Sequence, residues 1–256
     1  CLNYTMTSSW TQSTLNRGRM ATRGASQTVA LEVSVPLSDL EFYKLTYAGE
    51  IYFPVPVLDT WTFRLRTELG YGGAYGGSDE LPFYENFFAG GFGSVRGYES
   101  NTLGPRSTPA DVYAAALPVT AIDADGKPTA FGNQYAYYTT DGKLVYYQID
   151  DEVDPFGGNI LVEGSAELLF PLPFIKDQSQ IRTGFFLDAG NVFDDDCGET
   201  QAACYDLDFG ELRYSAGVGL TWITGFGPMS FSLAKPLNSG DYGQEEVCQC
   251  TLGRGF

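Results

Sequence analysis

The sequence contains no histidine, so its main candidates for chemistry are five cysteines and a set of carboxylates. The lack of histidine excludes Ser-His-Asp and Cys-His catalysis and most zinc sites. Cys197 and Cys204 lie close together in an acidic, glycine-rich segment, which predicts a local disulfide formed in an oxidising compartment. The other three, Cys1, Cys248 and Cys250, have no such obvious pairing.

Paired carboxylates could act as the general acid and base of a glycosidase. The acidic and basic residues of this sequence instead lie at the middle of alternating segments, where we expect them to line the interior of a barrel. We therefore predict that the chain is not an enzyme and uses no metal or cofactor. The acidic runs 149–154 and 194–196 could bind divalent cations at the cell surface, but we favour a role in keeping external loops soluble.

These charged residues lie on segments in which apolar and polar residues alternate with period two. In "TWTFRLRTELGY" (60–71), Trp61, Phe63 and Leu65 alternate with Arg64 and Arg66. Such alternation predicts β-strands. Nine are expected, at 2–11, 28–35, 42–53, 60–71, 159–170, 181–193, 212–222, 229–235 and 247–256.

A soluble sandwich would turn the apolar faces of these strands inward, whereas a membrane barrel would turn them toward lipid. Aromatic residues at the strand ends, charges of both signs at mid-strand, and alternating short and long connections favour the membrane barrel. The glycines at 164, 184, 217 and 219 are expected to face the lumen and to make room there. The sandwich remains the alternative.

The composition of the chain limits the classes of partner that it can bind. The net charge of −17 argues against nucleic acid, whose phosphates would be repelled. No apolar run is long enough for a transmembrane helix, and any export signal would lie outside these residues.

The chain ends in "VCQCTLGRGF", an alternating segment that closes on an aromatic residue, as bacterial outer-membrane barrels do. Leu252 and Phe256 would form the lipid-facing signal of this strand, 247–256. Cys248 and Cys250 share that face and are poor membrane anchors compared with large apolar residues. We interpret them, together with Cys1, as positions introduced for cross-linking, with a natural redox role as the alternative.

The segment "FYENFFAGGFGSVRGYESNTLGPR" (83–106) resembles the signature loop of the BamA family of outer-membrane protein assembly factors. The segments "FFLDAGNVF" (185–193) and "TLGRGF" support the resemblance, which runs over the whole chain. The loop as a whole would span 72–158. Its signature residues are Val95, Arg96, Gly97 and Tyr98.

The resemblance implies an all-β, antiparallel transmembrane barrel of sixteen strands in the bacterial outer membrane, preceded by POTRA domains. Residues 1–256 would be the C-terminal part of that barrel domain, an arc of about nine strands with a long inward-folded loop. The POTRA domains and the N-terminal strands would be absent. The implied partners are the lipid bilayer and lipopolysaccharide, unfolded outer-membrane proteins, and assembly-machine lipoproteins or another assembly-factor barrel.

The family resemblance also implies partners for Arg96. The loop would fold into the barrel, where Arg96 would meet Glu167 and Asp188 on neighbouring strands. The strand phasing agrees, since both carboxylates point away from the lipid-facing residues. One guanidinium can hold two carboxylates that would otherwise repel each other. A solvated loop arginine is the alternative.

Three functions remain open from the sequence. The family's activity is insertion of β-barrel proteins by lateral opening of a seam and templating of an incoming strand on the exposed edge. Alternatively, the chain is itself a client barrel captured during folding. A passive pore or secretion channel is the third possibility.

Overall fold

The computed structural model describes residues 2–107 and 153–253 and two strands between these ranges, without residues 19, 37, 57, 79, 176–179, 198–200, 202 and 241. Eleven strands are found in these residues. They are β1 (Thr5–Ser13), β2 (Gly24–Ser34), β3 (Phe42–Val55), β4 (Leu58–Ala74), β5 (Gln134–Tyr138), β6 (Leu144–Gln148), β7 (Ile160–Phe170), β8 (Ile181–Phe193), β9 (Arg213–Thr224), β10 (Gly227–Pro236) and β11 (Cys248–Leu252).

Nine of the strands form one sheet in the order β1-β2-β3-β4-β7-β8-β9-β10-β11, and every neighbouring pair is antiparallel. The remaining two, β5 and β6, pair only with each other. The prediction of an all-β chain with nine antiparallel strands in an open sheet is confirmed. Two short 3-10 turns, Phe83–Glu85 and Phe209–Glu211, lie in the connections.

Several predicted boundaries were wrong. The first strand is Thr5–Ser13 rather than 2–11. The last strand is described as Cys248–Leu252, so it begins one residue later than predicted, and the predicted residues 254–256 lie outside the described part of the chain. The range 72–158 is not all loop, because β4 continues to Ala74 and the β5–β6 hairpin lies within it. Among the residues described, we find no helix with the length and apolar character needed to cross a membrane.

The two faces of the sheet differ as the alternation predicts. On β7, buried and partly exposed residues alternate along the whole strand. The outer face exposes large apolar side chains, including Leu45, Leu65, Phe185, Leu187 and Trp222. The opposite face, called the inner face below, carries buried polar and charged side chains, including Glu163, Ser165, Glu167, Arg182 and Asp188.

This arrangement is not a two-layer sandwich, because the described strands contain no second large sheet packed on the first. Leu65 is 40% exposed, although a sandwich would bury it in a core. The turn end of the sheet is defined here by the connections 14–23, 56–57, 171–180 and 225–226. The opposite end has the connections 35–41, 75–159, 194–212 and 237–247, and the second of these carries Arg96.

Candidate functional site

Residues 87–106 of the long connection lie across the inner face of the sheet. Side chains of this segment pack with strand residues in one buried apolar cluster, which consists of Ala89, Val95, Tyr98, Leu103, Leu161 and Val192. Isolated β-bridges join both ends of this segment to the later part of the same connection, Phe87 to Gly158 and Arg106 to Pro155. Apolar burial of this kind supplies the main free energy that holds the loop in place.

Arg96 lies at the centre of this contact and is 3% exposed, so the solvated alternative does not describe it. Its Nε is 2.7 Å from Oδ2 of Asp188, and its Nη2 is 2.7 Å from Oδ1 of the same carboxylate. The backbone N–H of Arg96 also donates to Asp188 at 3.1 Å. Nη2 lies 2.8 Å from Oε1 of Glu167. The structure therefore brings together the arginine and both carboxylates of the sequence prediction.

Ser165 is part of the same network. Its hydroxyl lies 2.6 Å from Oδ1 of Asp188 and 3.0 Å from Nη2 of Arg96. Ser165 and Asp188 are direct partners in the β7–β8 register, so the strand pairing itself places the two groups together. A buried carboxylate needs such hydrogen bonds, because an unsatisfied charge in an interior is costly.

A second arginine approaches Glu167 from the other side. Nη1 of Arg64 lies 3.0 Å from Oε2 of Glu167, and Nη2 of Arg64 lies 3.0 Å from Oε2 of Glu50. The charges therefore alternate in sign along a chain from Glu50 through Arg64, Glu167 and Arg96 to Asp188. Sequence reasoning placed Arg64 on the inner face but did not assign it to Glu167; the β4–β7 register, in which the two residues are opposite, is the missing signal.

The guanidinium of Arg96 also stacks on an aromatic ring. Its central carbon lies 3.5 Å from the ring centroid of Phe186, a distance suited to a cation–π contact. Phe186 is opposite Gly217 in the β8–β9 register. A Cβ on Gly217 would lie 2.6 Å from the Phe186 ring, so glycine is required for the ring to occupy this position.

Of the four glycines expected to face inward, Gly184, Gly217 and Gly219 alternate with outer-face residues as predicted. The prediction for Gly164 was wrong, because it lies between the inner-face residues Glu163 and Ser165. Its Cβ position is close only to the backbone oxygen of Arg66, at 3.8 Å.

Arg66 and Glu163 hold the loop just before Arg96. The two terminal nitrogens of Arg66 donate to the carbonyl oxygens of Gly93, at 2.6 Å, and Ser94, at 3.1 Å. The hydroxyl of Ser94 donates to Glu163. Neither contact was predicted from the sequence, because both depend on the path of the loop across the inner face.

Gly97 and Tyr98 connect the loop to the terminal strand. The backbone N–H of Gly97 lies 3.3 Å from Oε1 of Gln249 on β11, and Nε2 of Gln249 donates to the carbonyl of Tyr98 at 2.7 Å. Gly97 has φ of +91°, which favours glycine at this turn. The Tyr98 hydroxyl, on a fully buried side chain, lies 2.6 Å from the carbonyl oxygen of Asn238. The loop is thus bonded to both β8 and β11.

The predicted disulfide between Cys197 and Cys204 is confirmed. On β11, Cys248, Cys250 and Leu252 are exposed on the outer face, and both thiols are free. Cys1 and Phe256 lie outside the described residues, so their predicted roles stay predictions.

The acidic run at 194–196 follows β8 directly. Burial raises the pKa of Asp194 above its ordinary value, and the charges of Asp195 and Asp196 add to the rise. In the part of the chain that the structure describes, no group of three His, Cys, Asp or Glu side chains is arranged to hold a metal ion. Most of the run at 149–154 lies outside that part.

The sequence matches the model of the Omp85 superfamily domain over residues 2–256. The chain belongs to the Omp85 superfamily. It is 33% identical, over 99% of its length, to the outer membrane protein assembly factor BamA of Neisseria meningitidis serogroup B. The BamA resemblance predicted from the sequence is therefore confirmed. The chain spans 29% of the length of that relative.

The fold is similar to the crystal structure of BamA from Haemophilus ducreyi lacking POTRA domains 1–3. The TM-score is 0.71 at 28% identity, with 96% of this chain and 41% of that chain covered. Together with the open antiparallel sheet, these similarities identify the Omp85 chain as part of an outer-membrane β-barrel. The outer face of the sheet accordingly faces lipid, and the inner face lines the lumen.

Proposed function

We propose that this chain is the C-terminal part of a barrel that inserts other β-barrel proteins into the outer membrane. In this mechanism the seam beside β11 opens laterally, and an incoming strand pairs with the exposed edge of β11. The name of the Neisseria relative, an assembly factor, supports this class of function. No covalent chemistry is needed, because strand addition uses backbone hydrogen bonds.

The edge of β11 supports the templating step. Among the described strands, β11 pairs with β10 alone, and its paired stretch runs from Cys248 to Leu252. Its other edge therefore has backbone groups that another strand can pair with. Lateral opening of the seam would expose this edge to an incoming strand.

The contact that carries the proposal is between the signature loop and β11. Gln249 bonds to Gly97 and Tyr98, the residues that directly follow Arg96. Because Arg96 is bonded to β8 through Asp188, the loop joins the terminal strand to the interior of the sheet. Movement of β11 at the seam would therefore be coupled to the position of the loop.

The proposed partners follow from this role. They are unfolded outer-membrane proteins at the edge of β11, the bilayer and its lipopolysaccharide at the outer face, and assembly-machine lipoproteins or a second assembly-factor barrel. A passive pore is less well supported, because the loop and its apolar cluster cover the inner face. Capture of this chain as a client is favoured only by the two exposed thiols on β11.

The test is depletion of the full-length parent protein, followed by complementation. We expect depletion to block insertion of unrelated barrels, wild type to restore it, and Gln249→Leu to restore it poorly. Thr251→Val, on the same strand and face, is the matched control and should restore insertion fully. Loss of only one solute's uptake would favour the pore, and a mixed disulfide through Cys248 or Cys250 in the membrane fraction would favour the client.

A further inference from the structure

Arginines gather around a space at the turn end of the lumen, although the chain has a net charge of −17. Two adjoining cavities of about 400 and 730 Å³ lie between the β1–β2 connection and the inner face. Arg17, Met20 and Arg182 line both of them, Arg23 lines the larger one, and the ion pair of Glu50 with Arg64 lines the smaller one. Neither Arg96 nor Asp188 lines either cavity.

Arg182 is the buried member of this group, with 8% of its surface exposed. One terminal nitrogen donates to the carbonyl of Ala21 at 2.7 Å, and the guanidinium lies 5.6 Å from the ring centroid of Tyr52. No carboxylate of the described residues lies within ion-pair distance of it, unlike Arg64 and Arg96. A buried guanidinium normally has an anionic partner, so this one has capacity for a further acceptor.

Among the side chains that the structure describes, the charge balance of this end of the lumen is positive. The carboxylates of Glu50, Glu167 and Asp188 are shared by Arg64 and Arg96, and Arg182 balances the remaining negative charge at longer range. Two positive charges are left, on Arg17 and Arg23. Both are exposed and form no ion pair with a described carboxylate. Clustered positive charge at the mouth of a low-dielectric cavity attracts anions.

The other residues that line the two cavities indicate which class of anion would fit. The walls include apolar side chains beside the arginines, namely Leu15, Met20, Ala21, Leu169, Ile223 and Pro228. The volumes are those of sites that hold organic ligands, and an inorganic ion would leave them mostly empty. The space faces the lumen rather than the bilayer, so a lipid headgroup is poorly placed to enter. A carboxylate on an apolar stem fits both the charge and the walls.

We propose that this cavity binds the carboxylates of an acidic, extended polypeptide segment that enters the barrel from its turn end. Arg182 would hold one carboxylate inside, while Arg17 and Arg23 would attract the segment at the mouth. The inference does not depend on the insertion role, because binding can be measured without any insertion reaction.

The experiment measures binding to the full-length protein in detergent micelles. The probe is a fluorescein-labelled peptide of alternating Glu and Ser, and the comparison peptide has Gln in place of Glu. By fluorescence anisotropy we expect the Glu peptide to bind at least about tenfold more tightly, since hydrogen bonds to charged groups contribute most. Arg182→Gln should remove most of this difference, and Arg17→Gln with Arg23→Gln should reduce it. Arg213→Gln, at the opposite end and paired with Glu211, is the matched control.

Equal binding of the Glu peptide to wild type and to the Arg17→Gln/Arg23→Gln variant, at low and moderate salt, would overturn the proposal. Displacement of the peptide by an equal concentration of inorganic phosphate, or by vesicles of anionic phospholipid, would overturn the assignment to a polypeptide. Heat-dependent gel migration checks that each variant is folded. If Arg182→Gln does not fold, the double variant decides, because its changes lie in an exposed connection.

Discussion

Arg64 lies directly across from Glu167 in the register of β4 and β7, with Nη1 of the arginine 3.0 Å from Oε2 of the carboxylate. Glu167 therefore already has a cation from its own sheet before the loop arrives. Among the described residues, Asp188 forms no ion pair with an arginine of the sheet, and it accepts three hydrogen bonds from Arg96. Arg96 is therefore more important for neutralising the charge of Asp188 than that of Glu167.

We expect Arg96→Ala to lower the heat resistance of the folded full-length barrel, because it leaves the Asp188 carboxylate buried without its cation. The cost should be at most about 3–5 kcal/mol. The measurement is the temperature at which the heat-modifiable band converts to the unfolded form. Arg96→Lys should lie between wild type and Arg96→Ala, because an ammonium keeps the charge but lacks the planar fork.

Charge-reversal variants test whether Asp188 or Glu167 is the main partner of Arg96. Arg96→Glu with Asp188→Arg should recover part of the lost heat resistance relative to Arg96→Glu alone. Arg96→Glu with Glu167→Arg should recover less, because the new arginine would face Arg64. If the Asp188 pair gave no recovery while the Glu167 pair did, the assignment of Asp188 as the main partner would be wrong.

Gly217→Ala should disrupt the contact between Phe186 and Arg96. The added Cβ would collide with the carbonyl oxygen of Leu233 and would lie 2.6 Å from the Phe186 ring. Overpacking of this kind costs about 1–3 kcal/mol. Gly164→Ala is the matched control in β7, where the new methyl group meets only one atom at 3.8 Å. Thermal unfolding of the two variants should differ clearly, and equal midpoints would argue against the close approach.

Gln249→Leu should release β11 from the loop while leaving the Arg96 network intact. We expect hydrogen–deuterium exchange of the amides in β11 and at residues 97–99 to become about tenfold faster, in line with the loss of hydrogen bonds of about 1 kcal/mol each. Amides of β7 and β8 should exchange as in wild type, which is the internal control. Faster exchange throughout the barrel would mean instead that the substitution unfolds the whole domain.

Replacing both Cys197 and Cys204 by serine should loosen the connection between β8 and β9 without affecting the loop. Closing a loop this short contributes about 2 kcal/mol. Limited proteolysis should therefore cut the double variant faster near residues 194–210, and dithiothreitol should have the same effect on wild type. Cys248→Ser is the control and should resist cleavage as wild type does. Equal cleavage of all three proteins would show that the disulfide is not formed in solution.

The strands were predictable because alternation is strong where one face meets lipid and the other is polar. On β7 the alternation of Glu163, Ser165 and Glu167 with apolar residues assigned each face correctly. The start of the first strand was less predictable, because β1 begins at Thr5, opposite Ser34, where its partner β2 ends, and not where its own pattern begins.

The site was only partly predictable. The meeting of Arg96 with Glu167 and Asp188 was predicted from the family resemblance together with the strand phasing. The parts played by Arg64, Phe186 and Gln249 depend on register and on the path of the loop, which no residue pattern specifies. The wrong face predicted for Gly164 is a different case, because the phasing of Glu163 and Ser165 already places the residue between them on the outer face.

The Arg96 network has a consequence for the order of folding. Its acceptors come from two strands, Ser165 and Glu167 on β7 and Asp188 on β8, and they converge only when these strands are paired as Ser165 with Asp188. A slip of one residue in either strand would turn its acceptors toward the bilayer. We therefore expect the loop to dock only after β7 and β8 have paired in this register, so that a stably docked loop would indicate correct alignment of these two strands.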